Sequence, residues 1–158
     1  MIRRFRKDDM ARVTEIANQA WREIYNMYQA TQGDELFNLR VPDRDHIKGK
    51  QLEEHYENHP DWLFVYEENE YILGFITFTL DFKTKIGEIG NNAVDKTIPR
   101  KGIGQQMYAA VFDYFRINGI LYAKVSTGLD YAHEPARKAY ERAGFDIRNE
   151  NVVYYKKL

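Results

Sequence analysis

The stretch Gly87-Glu88-Ile89-Gly90-Asn91-Asn92-Ala93-Val94-Asp95-Lys96-Thr97-Ile98-Pro99-Arg100-Lys101-Gly102-Ile103-Gly104 decides the fold of this chain. It reads as a strand, Lys85 to Val94, then a short polar turn, then a helix that opens at a glycine pair. The first turn of a helix carries main-chain N–H groups without intrahelical acceptors and the positive end of the dipole. Glycines at 102 and 104 let that backbone approach an anion with no Cβ in the way. Arg100 and Lys101 add side-chain charge, and together these make a pyrophosphate site. A glycine pair at a helix start is also common punctuation, so the pattern alone separates neither reading. A P-loop is excluded because no Gly-Lys-Ser/Thr occurs. The dinucleotide fingerprint is excluded because a third glycine is missing near Met107 and the motif does not sit in an early parallel βαβ unit.

Working outward, helical spacing follows the glycines, with Ile103, Met107, Val111 and Phe115 on one face and Tyr108 and Phe112 beside it. Asn118-Gly119 closes that helix, Ile120 to Val125 reads as a strand, and Pro135 opens a further helix that Gly144 stops. Asp146 to Arg148 and Val152 to Lys156 read as closing strands. Upstream, Trp62 to Tyr66 and Tyr71 to Leu80 form a hairpin across a polar turn. Ile2 to Arg6 reads as a short strand, with Asp8 as cap of a long helix carrying Met10, Val13, Ala17, Ala20 and Ile24 inward to about Gln29. A helical turn around Leu36 to Leu39 and a helix after Pro42, with Ile47, Leu52 and Tyr56 inward, complete the pass. The order predicts one domain over residues 1–158: an α/β (α+β) fold whose mixed, mostly antiparallel sheet has six to seven strands and helices on both faces.

The 158 residues carry a formal net charge of −1, which disfavours a nucleic-acid partner; the cluster Arg3, Arg4, Arg6 and Lys7 reads as solvated charge beside an edge strand. There is no cysteine, so disulfides, thiolate metal sites and a cysteine nucleophile are excluded. No apolar run approaches the roughly 20 residues that span a bilayer, and MIRRFRKDDM lacks an apolar signal core, so the expectation is a cytoplasmic protein that does not engage a membrane.

The run Gly87 to Val94 followed by Pro99-Arg100-Lys101-Gly102-Ile103-Gly104 resembles motif A of the GCN5-related N-acetyltransferases (GNAT), Gln/Arg-x-x-Gly-x-Gly/Ala. The run His133-Glu134-Pro135-Ala136-Arg137-Lys138-Ala139-Tyr140-Glu141-Arg142-Ala143-Gly144-Phe145 resembles motif B, Asn-x-x-Ala-x-x-x-Tyr followed by Gly-Phe. The two occur in order, and the conjunction is more specific than either alone. The resemblance spans Tyr71 to Phe145. It implies a splayed central strand pair between the strand ending at Val94 and the strand Ile120–Val125, with acetyl-CoA in the opening as cosubstrate and no metal. It implies that the pantetheine arm pairs with backbone near Ala93 and Val94, and that the pyrophosphate sits on the amides from Arg100 through Lys101, Gly102, Ile103 and Gly104 to Gln105. Two departures stand out: Pro99 occupies the Gln/Arg position and has no N–H, and His133 replaces the usual Asn on the pantetheine side.

The activity so implied is transfer of the acetyl group to a primary amine, on a small molecule, peptide or protein, by direct attack in a ternary complex. Such chemistry needs deprotonation of the amine, polarisation of the thioester carbonyl and a proton for the departing thiolate. Tyr140 matches the motif B tyrosine and is the candidate acid, with a core tyrosine as the alternative. Glu88 matches a strand glutamate that is the base in histone-acetylating members; an ordinary exposed charge is the alternative. A backbone N–H in Asn92–Val94 is the candidate oxyanion donor, worth about 3 kcal/mol of barrier. The acceptor is expected near the first helix, where Trp21, Tyr25 and Tyr28 with Asp34 and Glu35 suit a cation or are simply packing. His55 and His59 share a helix face, but no glutamate follows His55 as in zinc proteases, and a solvated helix end accounts for them. The resemblance also allows a homodimer. The alternative function is a non-catalytic acyl-CoA-binding module.

Overall fold

A computed structural model describes all 158 residues. Five strands lie in the order of the chain: β1 (Ile2–Arg4), β2 (Leu63–Glu68), β3 (Tyr71–Asp81), β4 (Ile86–Val94) and β5 (Tyr122–Val125). The first four pair antiparallel, and β5 pairs parallel to β4. Five helices accompany them: α1 (Met10–Gln32), α2 (Asp34–Arg40), α3 (Ile47–Asn58), α4 (Ile103–Ile117) and α5 (Glu134–Arg142).

Side-chain alternation along β2 splits the core in two. Leu63 and Val65 join Val13, Ile16 and Ala17 of α1 and Leu52 of α3 on one face. Phe64 and Tyr66 join Ile103, Met107, Val111 and Phe115 of α4 on the other. The helical stripes read from the sequence are the faces that cover the sheet, as the periodicity requires. The β2–β3 hairpin is tighter than the polar run suggested: Asn69 and Glu70 alone turn it, both with positive φ (49° and 65°), as a twisted two-residue hairpin demands. The N-terminal cap also differs. Asp9, not Asp8, precedes α1, and its side chain bonds no amide of that helix: the carboxylate turns back to accept the Arg6 amide at 2.7 Å and two bonds from Arg3.

Phe78 is the centre of the α4 face. It is fully buried and its ring lies 5.0 Å from Phe64, 5.3 Å from Tyr114 and 5.6 Å from Phe115. Truncation leaves a cavity that three rings cannot collapse to fill. Phe78→Ala is therefore expected to cost about 3–5 kcal/mol of stability, read from the urea midpoint at unchanged m-value.

The sheet has five strands, not six to seven. The closing strands expected at Asp146–Arg148 and Val152–Lys156 are absent: residues 146–158 form no main-chain hydrogen bond to other main chain. The polar run Arg148-Asn149-Glu150-Asn151 offers no alternating apolar face to bury there. The tail is tied instead to α2, where Lys157 pairs with Glu35 at 2.7 Å and the Arg40 guanidinium lies 5.1 Å from the Tyr155 ring centre. Strand β5 consequently keeps an unpaired outer edge.

Candidate active site

The site begins where β4 and β5 part. They pair from Ile86–Tyr122 to Ile89–Val125 and no further. Beyond that point β4 bulges: Gly90 and Asn91 together oppose Thr77, whose hydroxyl donates to the Asn91 carbonyl at 3.1 Å. From Gly90 to Val94 the β5 side of β4 is uncovered. The Asp95 amide bonds the Leu73 carbonyl, which sets the ladder parity so that Ala93 bonds β3, while the main-chain groups of Asn92 and Val94 face the opening. Of the two residues expected to meet a pantetheine arm, Val94 presents its backbone to the split and Ala93 does not.

The turn after β4 is clasped before α4 begins. Asp95 is buried, accepts the Thr97 amide at 2.8 Å and the Thr97 hydroxyl at 2.6 Å, and pairs with Arg12 of α1. Burial alone would raise the Asp95 carboxyl, but the Thr97 bonds and the Arg12 guanidinium hold it below its ordinary value. Gly102 then caps α4 at φ +86°, a conformation that side chains with a Cβ rarely adopt. The amides of Lys101, Gly102, Ile103, Gly104 and Gln105 donate to no main-chain oxygen. They form an anion cradle at the N-terminus of a 15-residue helix. The cradle is shorter by one than the sequence suggested, since the Arg100 amide is spent on the Ile98 carbonyl at 2.7 Å. The Arg100 guanidinium pairs with Glu68 at 2.9 Å, so Lys101 is the cradle's unpaired side-chain charge.

A cavity of about 810 Å³ runs from this cradle through the split to α1 and α3. Tyr140 of α5 and Tyr108 of α4 meet in it, with ring centres 5.6 Å apart. Asn92 bridges them. The Tyr108 hydroxyl donates to Asn92 Oδ1 at 2.9 Å, and Asn92 Nδ2 donates to Tyr140 Oη at 3.1 Å. Tyr140 thus accepts from the amide, and its own O–H is left to donate elsewhere. Burial raises the Tyr140 phenol above its ordinary value, an effect the Asn92 and Tyr108 bonds partly offset, so the group stays protonated.

The other predicted residues are placed as follows. Glu88 lines the cavity but is half-exposed and paired with Lys124, its register partner on β5, at 3.0 Å; the dry setting expected of it is absent. His133 lines the cavity too, its Nδ1 held by Asp130 at 2.8 Å, while Arg137 ties the loop by donating to the Gly128 and Asp130 carbonyls. Trp21 is on the cavity wall, whereas Tyr25 packs against Phe37 in a side core. Tyr28 lies tilted against His133, its ring centre 6.1 Å away. Asp34 and Glu35 are spent outside the cavity, on Gln29 and Lys157. His55 and His59 serve the fold: His55 meets the Trp62 carbonyl and His59 stacks on the Trp62 ring. Three site residues were not read as such from the sequence: the Asn92 amide as a bridge, Tyr108 as its anchor, and Lys48. The signal for Lys48 was its place four residues before Leu52 on the inward face of α3.

A mixed sheet split between two parallel strands, with uncommitted helix N-terminal amides at one end and a buried phenol beside the gap, is an arrangement suited to a CoA-dependent acyltransferase. The chain belongs to the Acetyltransferase (GNAT) family, whose sequence model matches residues 13–145. Its reaction is acetyl-CoA-dependent N-acetylation. Among solved structures, it is similar to the PaiA N-acetyltransferase from Thermoplasma acidophilum in complex with coenzyme A, with TM-score 0.74 and 15% identity, covering 96% of this chain and 92% of that one. It is also similar to Ard1 from Thermoplasma volcanium (TM-score 0.70, 21% identity, 94% and 84% covered). A GNAT family acetyltransferase from Brucella melitensis in complex with acetyl-CoA superimposes with TM-score 0.62 at 19% identity, with 93% and 82% covered. No curated protein matches the chain significantly. No helix is long and apolar enough to cross a membrane.

Proposed function

We propose that residues 1–158 act as one cytoplasmic N-acetyltransferase domain in which a primary amine attacks acetyl-CoA directly, with Tyr140 as the acid. The observation that carries this is the Tyr108–Asn92–Tyr140 chain, which leaves the Tyr140 proton uncommitted within the cavity. The cosubstrate supplies an activated thioester. The chain's residues hold and orient it: the amides of Lys101 to Gln105 receive the diphosphate, and the Asn92 and Val94 main chain receives the arm and the developing oxyanion. His133, fixed by Asp130, borders the same arm. The amine's proton leaves through water, with Glu88 at the wall as its nearest carboxylate destination. Absence of cysteine suits a reducing compartment. The test is thiol release from acetyl-CoA over a panel of amines and peptides. Tight CoA binding without turnover on any acceptor would favour the non-catalytic module instead.

The assembly proposed is a homodimer in which the tail of one copy adds to the β5 edge of the other. Its support is the unpaired β5 edge, the unbonded main chain of residues 146–158 and exposed Ile147, Val152, Val153 and Tyr154. An apolar cavity of about 330 Å³, lined by Phe112, Phe115, Ile120 and Phe145, lies beside that edge. Deleting residues 147–158 is expected to convert dimer to monomer in light scattering; a dimer that survives the deletion refutes the arrangement.

A further inference from the structure

Lys48 of α3 carries a charge that nothing in the chain neutralises. The residue is 7% exposed. Its Nζ donates to Gln51 Oε1 at 2.9 Å and Asn91 Oδ1 at 3.1 Å, and lies 4.1 Å from the centre of the Trp21 ring. All of these partners are neutral. Buried charges are ordinarily paired, because an unpaired one forfeits its hydration without a Coulombic return. Burial pushes the ammonium down to about 8, with no charged neighbour among the causes, so it remains mostly charged at neutral pH.

The three groups around Lys48 are wall residues of the cavity: Trp21, Gln51 and Asn91. Lys48 claims both amide oxygens, which leaves the amide nitrogens as the free ends. Neither Gln51 Nε2 nor Asn91 Nδ2 makes a hydrogen bond within the chain, although the other end of each amide is engaged. The wall therefore presents two unspent N–H₂ groups with an ammonium behind them. The only carboxylate lining the whole cavity is Glu88, which Lys124 already pairs. This reverses the sign expected from the sequence, where Asp34 and Glu35 suggested a wall for cations. Asn91 and Asn92 are neighbours in β4 whose side chains go different ways, Asn91 to Lys48 of α3 and Asn92 to Tyr108 and Tyr140, and both line the one cavity.

We propose that the amine acceptor carries a carboxylate, received by the Gln51 and Asn91 amides with the Lys48 ammonium as counter-charge. The proposal rests on the acetyl-transfer reading for the placement of the amine. An amino acid and the C-terminal end of a peptide share this chemistry.

Matched pairs test it. 4-Aminobutyrate against butylamine forms the small-molecule arm; a dipeptide against its C-terminal amide forms the peptide arm. Wild-type kcat/KM should favour the carboxylate member by about 10- to 100-fold in at least one arm, the range of a charge-assisted contact. Lys48→Met, of similar shape and without the charge, should bring that ratio close to one, and Gln51→Ala should lower it in part. A wild-type ratio near one, or a ratio that Lys48→Met leaves intact, overturns the proposal while acetyl transfer itself stands. A second readout needs no turnover: tryptophan fluorescence, with Trp21 against the ammonium, titrated with N-acetyl-4-aminobutyrate and with N-butylacetamide in the presence of CoA. Binding confined to the carboxylate and lost in Lys48→Met upholds the anion site even if no amine is acetylated. Equal response to both ligands removes it.

Discussion

Tyr140→Phe lowers kcat by about 100-fold or more while CoA affinity stays within about threefold, as expected when a general acid is removed and its ring kept. The ring continues to pack on Tyr108 and Phe145, 5.6 and 5.9 Å away by centroid, so the fold should not register the loss. What disappears is the only proton that the Asn92 bridge leaves uncommitted. Tyr108→Phe should act in the same direction and less severely. It removes one of the three bonds that fix the Asn92 amide, the others being to the Gly90 carbonyl and Tyr140, so Tyr140 keeps its proton and is aimed less firmly. Steady-state rates with CoA calorimetry on both variants decide the matter. Full activity in Tyr140→Phe across the pH range would show that water protonates the thiolate.

Gly104→Asp should weaken CoA binding by about 100-fold or more, since it sets a negative charge on the helix end where the diphosphate is received. Gly104→Ala separates charge from shape. A Cβ at position 104 would lie 3.9 Å from Tyr108 Cε2, an ordinary contact, so the protein accommodates alanine. Any affinity that alanine costs then reflects crowding of the ligand alone. Calorimetry with CoA reads both, and a variant that binds CoA as wild type does would place the diphosphate elsewhere.

The parts of this architecture that were legible in the sequence are those governed by short-range patterns. The stripe Ile103, Met107, Val111 and Phe115 is periodic because it is buried, and it is buried as read. The turn from Val94 to Gly104 was legible because Gly102 answers a local need of the backbone, its positive φ at the start of α4. The polarity of the cavity wall was not. Asp34 and Glu35 are close in sequence to α1 yet point to Gln29 and Lys157, partners no local pattern specifies. Lys48 looked like one more charge in a polar helix, and only the closure of α3 over Trp21 and Asn91 buries it. The Asn92 bridge joins residues 16 and 48 positions away, so it exists only once β4, α4 and α5 have met. The tail misled for a different reason. Val152 to Tyr155 has the composition of a strand, but composition does not dock it: the free edge of β5 goes unused, and the tail is held by side-chain contacts to α2 instead.

Helix α1, 23 residues long, does two jobs along one rod. Near its start Arg12 grips Asp95 at the base of the turn that leads into α4, and about three turns on Trp21 and Ile24 line the cavity. Substitution at positions 21 and 24 therefore changes the cavity wall without touching the Arg12–Asp95 clasp, so the two ends of the rod can vary independently.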